Sequence, residues 1–406
     1  MNSIPETTLA IGQRLHKSVL SPLKSAFVGK DEVVDLLGIS LVAGENLFIL
    51  GPPGTAKSAI VHQLSRKIEG RTFEYLLTRF TEPSELFGPF DIRKLKEGTL
   101  ETNTEGMLPE ASLVFLDELL NANSAILNSV LTVLNERKFR RGRESRDLDL
   151  LMVVGASNQL PQDDALRALF DRFLLRTMSD NVADDELGAV LKAGWKLDDT
   201  HTGGDAENDH QSDSQNIGIE EIRQLHRAIA QVDLSGTTDL LCDLVTRIRR
   251  AGITVSDRRA VKLQRPIAAS ALLCGRGRST AQDLWILRHI WDRTEQREVL
   301  IGIVDGMIKE HTEQSDSEKS VETHHPQATA DTAPDPEQLA AALDDLKPTP
   351  AGDSEADGEH RAKLCDQLAT IAERVQWVRD EVPRTALQKR VDALWIELRE
   401  EANDPS

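Results

Sequence analysis

Nowhere in the 406 residues does an apolar run reach 18, so no segment has the length expected of a membrane-spanning helix. The opening residues, MNSIPETTLAIGQRLH, lack the charged-then-apolar layout of a secretion signal, and a soluble cytoplasmic protein without membrane insertion is expected. Cysteine is scarce: Cys242, Cys274 and Cys365 stand far apart at no metal or disulfide spacing and read as reduced, structural residues. Aromatic residues make up 4% of the chain, a thin supply of the stacking platforms that single-stranded nucleic acid needs. No internal repeat is evident. Positive charge is in deficit, with a net charge of −19, but the deficit is local. Residues 198–215 carry −6 and residues 311–360 carry −11, which leaves −2 for everything else. The folded parts are therefore nearly neutral, and global charge argues only weakly against any partner.

What is present between about 47 and 180 is an alternation of short β-rich runs with helical patterns, the signature of a sheet covered by helices. Leu47–Leu50, Phe73–Leu77, Leu113–Leu116 and Leu150–Gly155 are nearly uniformly apolar, as strands buried on both faces are. Ser58–Ile68 and Ser124–Glu136 place their apolar residues on one helical stripe. Residues 181–215 turn polar and acidic and read as a long loop after a short helix; 216–310 read as helices only. Residues 311–360, rich in Pro, Ala, Asp, Glu, Ser and Thr and including His324-His325, have the composition of a disordered linker. Helical periodicity resumes over 361–401 through Leu364, Leu368, Ile371, Val375, Val378, Leu387, Val391, Leu394 and Leu398.

Five local features carry chemistry. The stretch GPPGTAKS, Gly51 to Ser58, follows an apolar strand and opens a helix, the junction at which backbone N–H groups converge on an anion. It departs from the phosphate-loop pattern only at Ala56, where a second glycine is usual; the residue before the lysine is expected to be entering the helix and to tolerate alanine. Lys57 would reach the β- and γ-phosphates and the Ser58 hydroxyl would bind Mg2+. Leu113–Leu116 ends in Asp117-Glu118, one carboxylate suited to the hydrated metal and the next to orienting water. The strand Leu150–Ser157 ends at Asn158, whose amide could bond the γ-phosphate or the lytic water. ALFDRFLLR carries Arg172, with Arg167 and Arg176 nearby, in reach of a neighbouring subunit's phosphate. VSDRRAVKL opens a helix with Ser256 or Asp257 as cap and Arg258-Arg259 in the first turn, where a bound phosphate would offset two cations. The first four have plain structural alternatives: a strand-to-helix turn, an acidic helix cap, an Asn opening a turn before Pro161, and a solvated basic face.

With these elements in order, residues 20 to 295 resemble the AAA+ ATPases of the MoxR family, most closely its RavA branch. FEYLLTRFTEPSELFGPFDI (73–92), LPEASLVFLDE (108–118), AILNSVLTVLNERKFRRG (125–142) and GASNQLP (155–161) carry that likeness. The resemblance implies that Gly51, Pro52, Pro53, Gly54, Thr55, Ala56, Lys57 and Ser58 form the Walker A loop for ATP. Asp117 and Glu118 become the Walker B pair, with Mg2+ held by Ser58 and Asp117. Asn158 becomes sensor 1, Arg172 the arginine finger, and Arg258, with Arg259 adjacent, sensor 2; Phe27–Lys30 match where such ATPases line the adenine pocket. In that branch an alanine also precedes the lysine. Residues 81–107 fit the insert of the clade, with 88–106 as a hairpin, and 137–149 a second hairpin. Both face the pore of family rings, which offers Arg137, Lys138, Arg140, Arg141 and Arg143 to a threaded partner. Unlike RavA-like proteins, this chain has an acidic linker and some forty helical residues in place of a β-rich module. It also lacks the D-x-S-x-S motif of a von Willebrand factor A domain, so such a domain is expected on a separate partner protein.

The expected architecture is thus an α/β AAA+ P-loop core, a parallel sheet covered by helices, over 21–180 after an N-terminal helix at 1–20. An acidic loop (181–215), an all-helical lid (216–310), the acidic linker (311–360) and a C-terminal helical segment (361–406) follow. The expected function is ATP hydrolysis by a homo-hexameric ring that remodels or matures a client protein, with 361–406 as a recognition arm. Two rivals remain at this stage: a nucleic-acid-stimulated motor, resting on the 137–143 basic turn, and a nucleotide-gated scaffold with little turnover.

Overall fold

Runs that are apolar on both faces must be covered on both faces, and such runs make the centre of this protein. The computed structural model describes residues 4–97, 99–141, 144–160, 170–182, 186–202, 216–315, 325–328 and 381–403, with scattered positions between 339 and 375. Strands β1 (Leu47–Leu50), β2 (Thr72–Leu76), β3 (Leu113–Asp117), β4 (Met152–Ser157) and β5 (Leu175–Met178) form one sheet in the order β2-β3-β4-β1-β5. All its pairings are parallel: Leu47 lies opposite both Val154 and Leu175, and Leu113 opposite Thr72 and Met152. Every residue of β1 and β4 is buried. The carboxyl ends of the strands therefore share one edge. Chain order reverses at β1, and open α/β sheets bind ligands at such a switch point.

β5 is the strand that apolar patterning does not reveal. Arg176 and Thr177 occupy its centre and both are fully buried. Arg176 donates to the carbonyls of Ile290 at 3.3 Å and Phe170 at 3.1 Å, and its guanidinium lies 4.2 Å over the Phe170 ring. The Thr177 hydroxyl donates to Glu32 at 3.0 Å. Hydrogen-bonded polar groups thus replace the apolar ones a buried strand ordinarily shows.

Helix α1 (Asp31–Ala43) is buried from Val33 to Ala43 and ends at Gly44, whose φ of 66° provides the left-handed cap. Helix α2 (Lys57–Arg66) faces the sheet with Ile60, Val61 and Leu64. Helix α3 (Ser124–Glu136) begins at Asn123, whose side chain accepts from the N–H groups of Ala125 and Ile126, and buries Ile126, Leu127, Val130, Val133 and Leu134. The antiparallel arms Lys138–Arg141 and Glu144–Asp147 follow as the expected second hairpin. The expected first hairpin is different: a single antiparallel bridge, Phe90 to Thr102, closes a loop that carries the short helix Ile92–Lys96.

Glu6–Arg14 runs through 15–20 into Ser21–Ala26 as one helical stretch, so the boundary expected at residue 20 falls inside a helix. It crosses helix α4 (Asp257–Leu273) at Gly12, where a Cβ would stand 2.3 Å from the Leu272 carbonyl oxygen. The region read as helices only also contributes a two-residue strand, Ile217–Gly218, beside Ile68–Glu69. Leu187–Thr202 is a helix of 16 residues where mostly loop is expected.

The chain divides into two units. The first comprises Met1–Leu241, Ser256–Ile290 and Ser320–Ala328; the second comprises Cys242–Val255, Trp291–Lys319 and Thr329–Ser406. The acidic stretch expected to be a linker contributes to both. In the first unit His325 is fully buried, its ring stacked 4.8 Å from that of Trp285, while Gln327 donates to Asp35 at 3.0 Å. In the second, Leu339 and Leu343 join Leu368, Ile371, Val375, Leu387 and Val391 in one apolar cluster. Most of 316–360 lies outside the described residues.

Candidate functional site

The loop Gly51–Ser58 joins β1 to α2 at the carboxyl edge of the sheet. Gly51 must be glycine, because a Cβ would stand 2.2 Å from the Ser179 carbonyl oxygen. Pro52, Pro53 and Gly54 are exposed, and a Cβ on Gly54 would meet nothing within 4 Å, so the loop is open above them. Thr55 is buried and its hydroxyl donates to the Pro52 carbonyl at 2.9 Å. Ala56 is not yet helical, contrary to the sequence reading: it caps α2 with φ 65° and ψ 16°, the left-handed region that costs a non-glycine residue about 1–2 kcal/mol. The Ser179 hydroxyl donates to the Thr55 carbonyl at 2.8 Å and holds that turn. Lys57 opens α2 with its ammonium inside the loop, donating to the carbonyls of Gly51 at 2.6 Å and Pro52 at 2.9 Å.

A second buried lysine lies near Lys57. Lys30, at the end of the Phe27–Lys30 stretch, is buried and donates to the Asp180 carbonyl. Burial depresses its pKa and the charge of Lys57 adds to that, while Asp180 opposes it. Lys30 is thus a second buried ammonium in the neighbourhood of Lys57.

The neighbouring strands bring the carboxylates. Ser58 Oγ donates to Asp117 Oδ2 at 3.2 Å, so the first helical hydroxyl and the end of β3 meet. Glu118, next in the chain, has φ 50°, a strained conformation of the kind that collects at functional sites. Asn121 Nδ2 donates to its carboxylate at 3.3 Å. Burial raises the Glu118 pKa and the negative charge of Asp117 raises it further; the charge of Lys57 and a hydrogen bond from the Asn158 backbone N–H oppose the rise. Asn158 follows β4 directly and its side chain is exposed. A basic carboxylate, an exposed amide, a paired hydroxyl and carboxylate, and an ammonium thus share one sheet edge.

The arginines lie elsewhere. Arg172 precedes β5, at the amino edge opposite the loop; its carbonyl accepts from Asn46, the residue before β1, at 3.4 Å. Its Nε is buried without a partner among the described residues. Arg167 lies outside the described residues, and the buried Arg176 has no surface to offer a neighbour. Arg258 is exposed at the start of α4 and meets no acceptor among the described residues, whereas Arg259 donates to the Ile290 carbonyl. The cap of α4 is Ser256, which accepts from the Arg259 N–H. Of the basic turn, Arg137 is structural rather than available: it ends α3 at φ 52° and is directed inward, donating to Gly44 O and Asn46 Oδ1 at 3.1 Å each. Lys138 pairs with Asp147 at 3.5 Å and Arg140 with Glu136 at 2.6 Å; Arg143 lies outside the described residues. Sequence reasoning missed Ser179, since a serine that bonds a backbone carbonyl leaves no motif.

The donor set fits a magnesium nucleotide. A hydroxyl and a carboxylate in contact are hard-oxygen donors of the type Mg2+ prefers, and the two lysines and the open loop suit phosphates.

Residues 13–227 match the family model described as the MoxR domain in the MoxR-vWA-beta-propeller ternary systems, and residues 236–304 match an AAA lid domain. Two uncharacterized proteins of Methanocaldococcus jannaschii are similar, one 34% identical over 74% of this chain and 77% of its own length, the other 33% identical over 69% and 72%. The chaperone MoxR1 of Mycobacterium tuberculosis is 24% identical over 38% of this chain and 41% of its own. In fold, the chain is similar to the crystal structure of a protein from Cytophaga hutchinsonii assigned as an ATPase, with TM-score 0.58, 18% identity, and 75% and 96% of the two chains covered. The family match spans the loop, the carboxylate pair, Asn158 and Arg172, and the lid match spans Arg258, so this chain belongs to the MoxR family of AAA+ ATPases.

Proposed function

We propose that the chain hydrolyses ATP, and that the residues of the β1, β3 and β4 tips carry the reaction. The observation that carries the reading is the Ser58–Asp117 contact at 3.2 Å, with the partly buried Glu118 carboxylate next in the chain and bonded by Asn121. In this assignment Lys57 and the loop N–H groups bind the β- and γ-phosphates, with Lys30 adding charge on the same side. Ser58 and Asp117 hold Mg2+, which when bound neutralises charge on the phosphates. Glu118 accepts the proton of the attacking water, and the Asn158 amide orients that water or the γ-phosphate. Arg258, exposed where Arg259 is engaged, acts as sensor 2 from the lid.

Arg172 is the arginine finger of a neighbouring copy, which makes a ring, in the family manner a hexamer, the working form. Four exposed apolar side chains on the insert, Phe90, Ile92, Leu95 and Leu100, support client contact there. Arg141 stacks 4.0 Å over the Phe90 ring and donates to the Gly88 carbonyl at 2.6 Å, so insert and second hairpin would move together. The family description supports a partner bearing a von Willebrand factor A domain, and the quoted phrases support the RavA branch. Apart from the boundary at residue 20 and the linker reading of 311–360, the domain limits read from sequence belong to the same proposal, as does the cytoplasmic location.

The test is ATP turnover of the purified chain beside Lys57→Ala and Glu118→Gln, across protein concentration with mass measured in parallel. Turnover that rises with assembly and is lost in both variants is expected. Nucleotide binding without turnover under every condition, including added nucleic acid, would replace the motor with a scaffold.

A further inference from the structure

Ser179, the residue after β5, is gripped on three sides. Its N–H donates to the Leu50 carbonyl at 2.7 Å, its carbonyl presses against Gly51, and its hydroxyl donates to the Thr55 carbonyl. It is 1% exposed, so this hydroxyl serves nothing in solvent. We propose that Ser179 is a positioning residue for nucleotide binding: by holding the Thr55 carbonyl it turns the Ala56 N–H toward the phosphates. The inference rests on the nucleotide reading above.

The argument is one of peptide geometry. The Thr55–Ala56 peptide is planar and trans, so its C=O and N–H point to opposite sides. Fixing the oxygen on Ser179 fixes the N–H on the other side. Ala56 pulls against this arrangement, because its φ of 65° is disfavoured for an L residue. Rotating the peptide about its two flanking bonds would return φ to the negative region and carry the N–H away from an anion in the loop. A glycine at 56 would feel no such pull, since it populates both signs of φ about equally. The Ser179 hydrogen bond is therefore the restraint that an alanine in this position requires, and the two residues act as a pair.

Affinity for a fluorescent ATP analogue, measured on the full chain, tests the pairing in four proteins: wild type, Ser179→Ala, Ala56→Gly and the double variant. Ser179→Ala is expected to weaken binding roughly tenfold in the alanine background, the effect of one ordinary hydrogen bond. In the Ala56→Gly background the same change is expected to cost no more than about threefold, because the turn no longer opposes it. A purely structural serine would weaken both backgrounds alike, so equal losses overturn the inference, as does no loss in either. If Ser179→Ala lowers the melting midpoint, the comparison still decides, since both backgrounds carry that loss. Lys57→Ala is the control: if wild type binds no better than it, the nucleotide reading falls and this inference with it.

Discussion

Arg172 and Arg176 lie four residues apart where β5 begins, and replacing each by methionine separates a structural role from a catalytic one. Arg176→Met strands the carbonyls of Ile290 and Phe170, at about 1–3 kcal/mol each, and removes the stacking on Phe170, worth about 1–2 kcal/mol. Relief from burying a guanidinium returns part of that, leaving a net loss of roughly 3 kcal/mol. At about 2–4 °C per kcal/mol for a unit of this size, the nucleotide-free chain should melt roughly 6–12 °C lower. Arg172→Met removes a side chain whose Nε bonds nothing among the described residues, and the Asn46 bond goes to its backbone. Its melting shift should stay under about 3 °C while ATP turnover of the assembled protein falls roughly 1,000-fold with nucleotide affinity retained. Thermal unfolding by circular dichroism, beside turnover at assembling concentrations, reads both. An Arg176→Met chain that melts with the wild type, or an Arg172→Met chain that turns over normally, would refute these assignments.

Three further outcomes follow from the geometry. Because Glu118 must be ionised to take a proton and its pKa is raised by burial and by Asp117, kcat/KM should climb with pH through a point above the ordinary glutamate range; Glu118→Gln should lose that limb and about 100- to 10,000-fold in rate. His325 is buried as the neutral ring, its pKa depressed from 6.5 to about 3, so its contribution to stability is full above 6.5 and declines as pH falls toward 3, by up to about 1.4 kcal/mol per pH unit. His325→Gln should flatten the denaturation midpoint over that window relative to wild type, with Asp35 unchanged in both chains; parallel curves would contradict this. Gly51→Ala forces a Cβ to 2.2 Å from the Ser179 carbonyl oxygen and should abolish measurable binding of the ATP analogue, and binding within threefold of wild type would show that the loop yields there.

Much of the site was legible because its chemistry is local in the chain. A lysine-serine pair after a buried strand and a carboxylate pair after another are read from neighbours alone, and the fold brings Ser58 to Asp117 as that reading requires. The fifth strand was hidden because what permits burial of Arg176 and Thr177 lies 114 and 145 residues away, at Ile290 and Glu32. The conformation of Ala56 was misjudged for a related reason: Ser179 restrains the turn, and no spacing rule links the two. Composition failed differently at His325 and Leu339. An acidic, proline-rich average hides a few buried anchors: His325 stacked on Trp285 and Gln327 bonded to Asp35 hold a segment that the average describes as solvated.

The opposite ends of β5 bear on how the proposed ring would work. Its four residues span about 13 Å, with Arg172 before the amino end and Ser179, against the phosphate loop, after the carboxyl end. Since β1 and β5 are parallel and in register, one copy's Arg172 lies at the edge away from its own Lys57 and Glu118. It either serves a second copy or serves none. Mixing chains distinguishes these cases: Lys57→Ala cannot bind phosphate yet keeps its finger, and Arg172→Met binds phosphate yet offers none. Each alone should be nearly silent. A mixture should regain turnover wherever an intact loop meets an intact finger across an interface, reaching about a quarter of the wild-type rate at equal proportions if copies assort at random and sites act independently. Silence in the mixture, with each variant silent alone and assembly verified by mass, would mean that Arg172 acts within its own chain, and the ring would lose its catalytic justification.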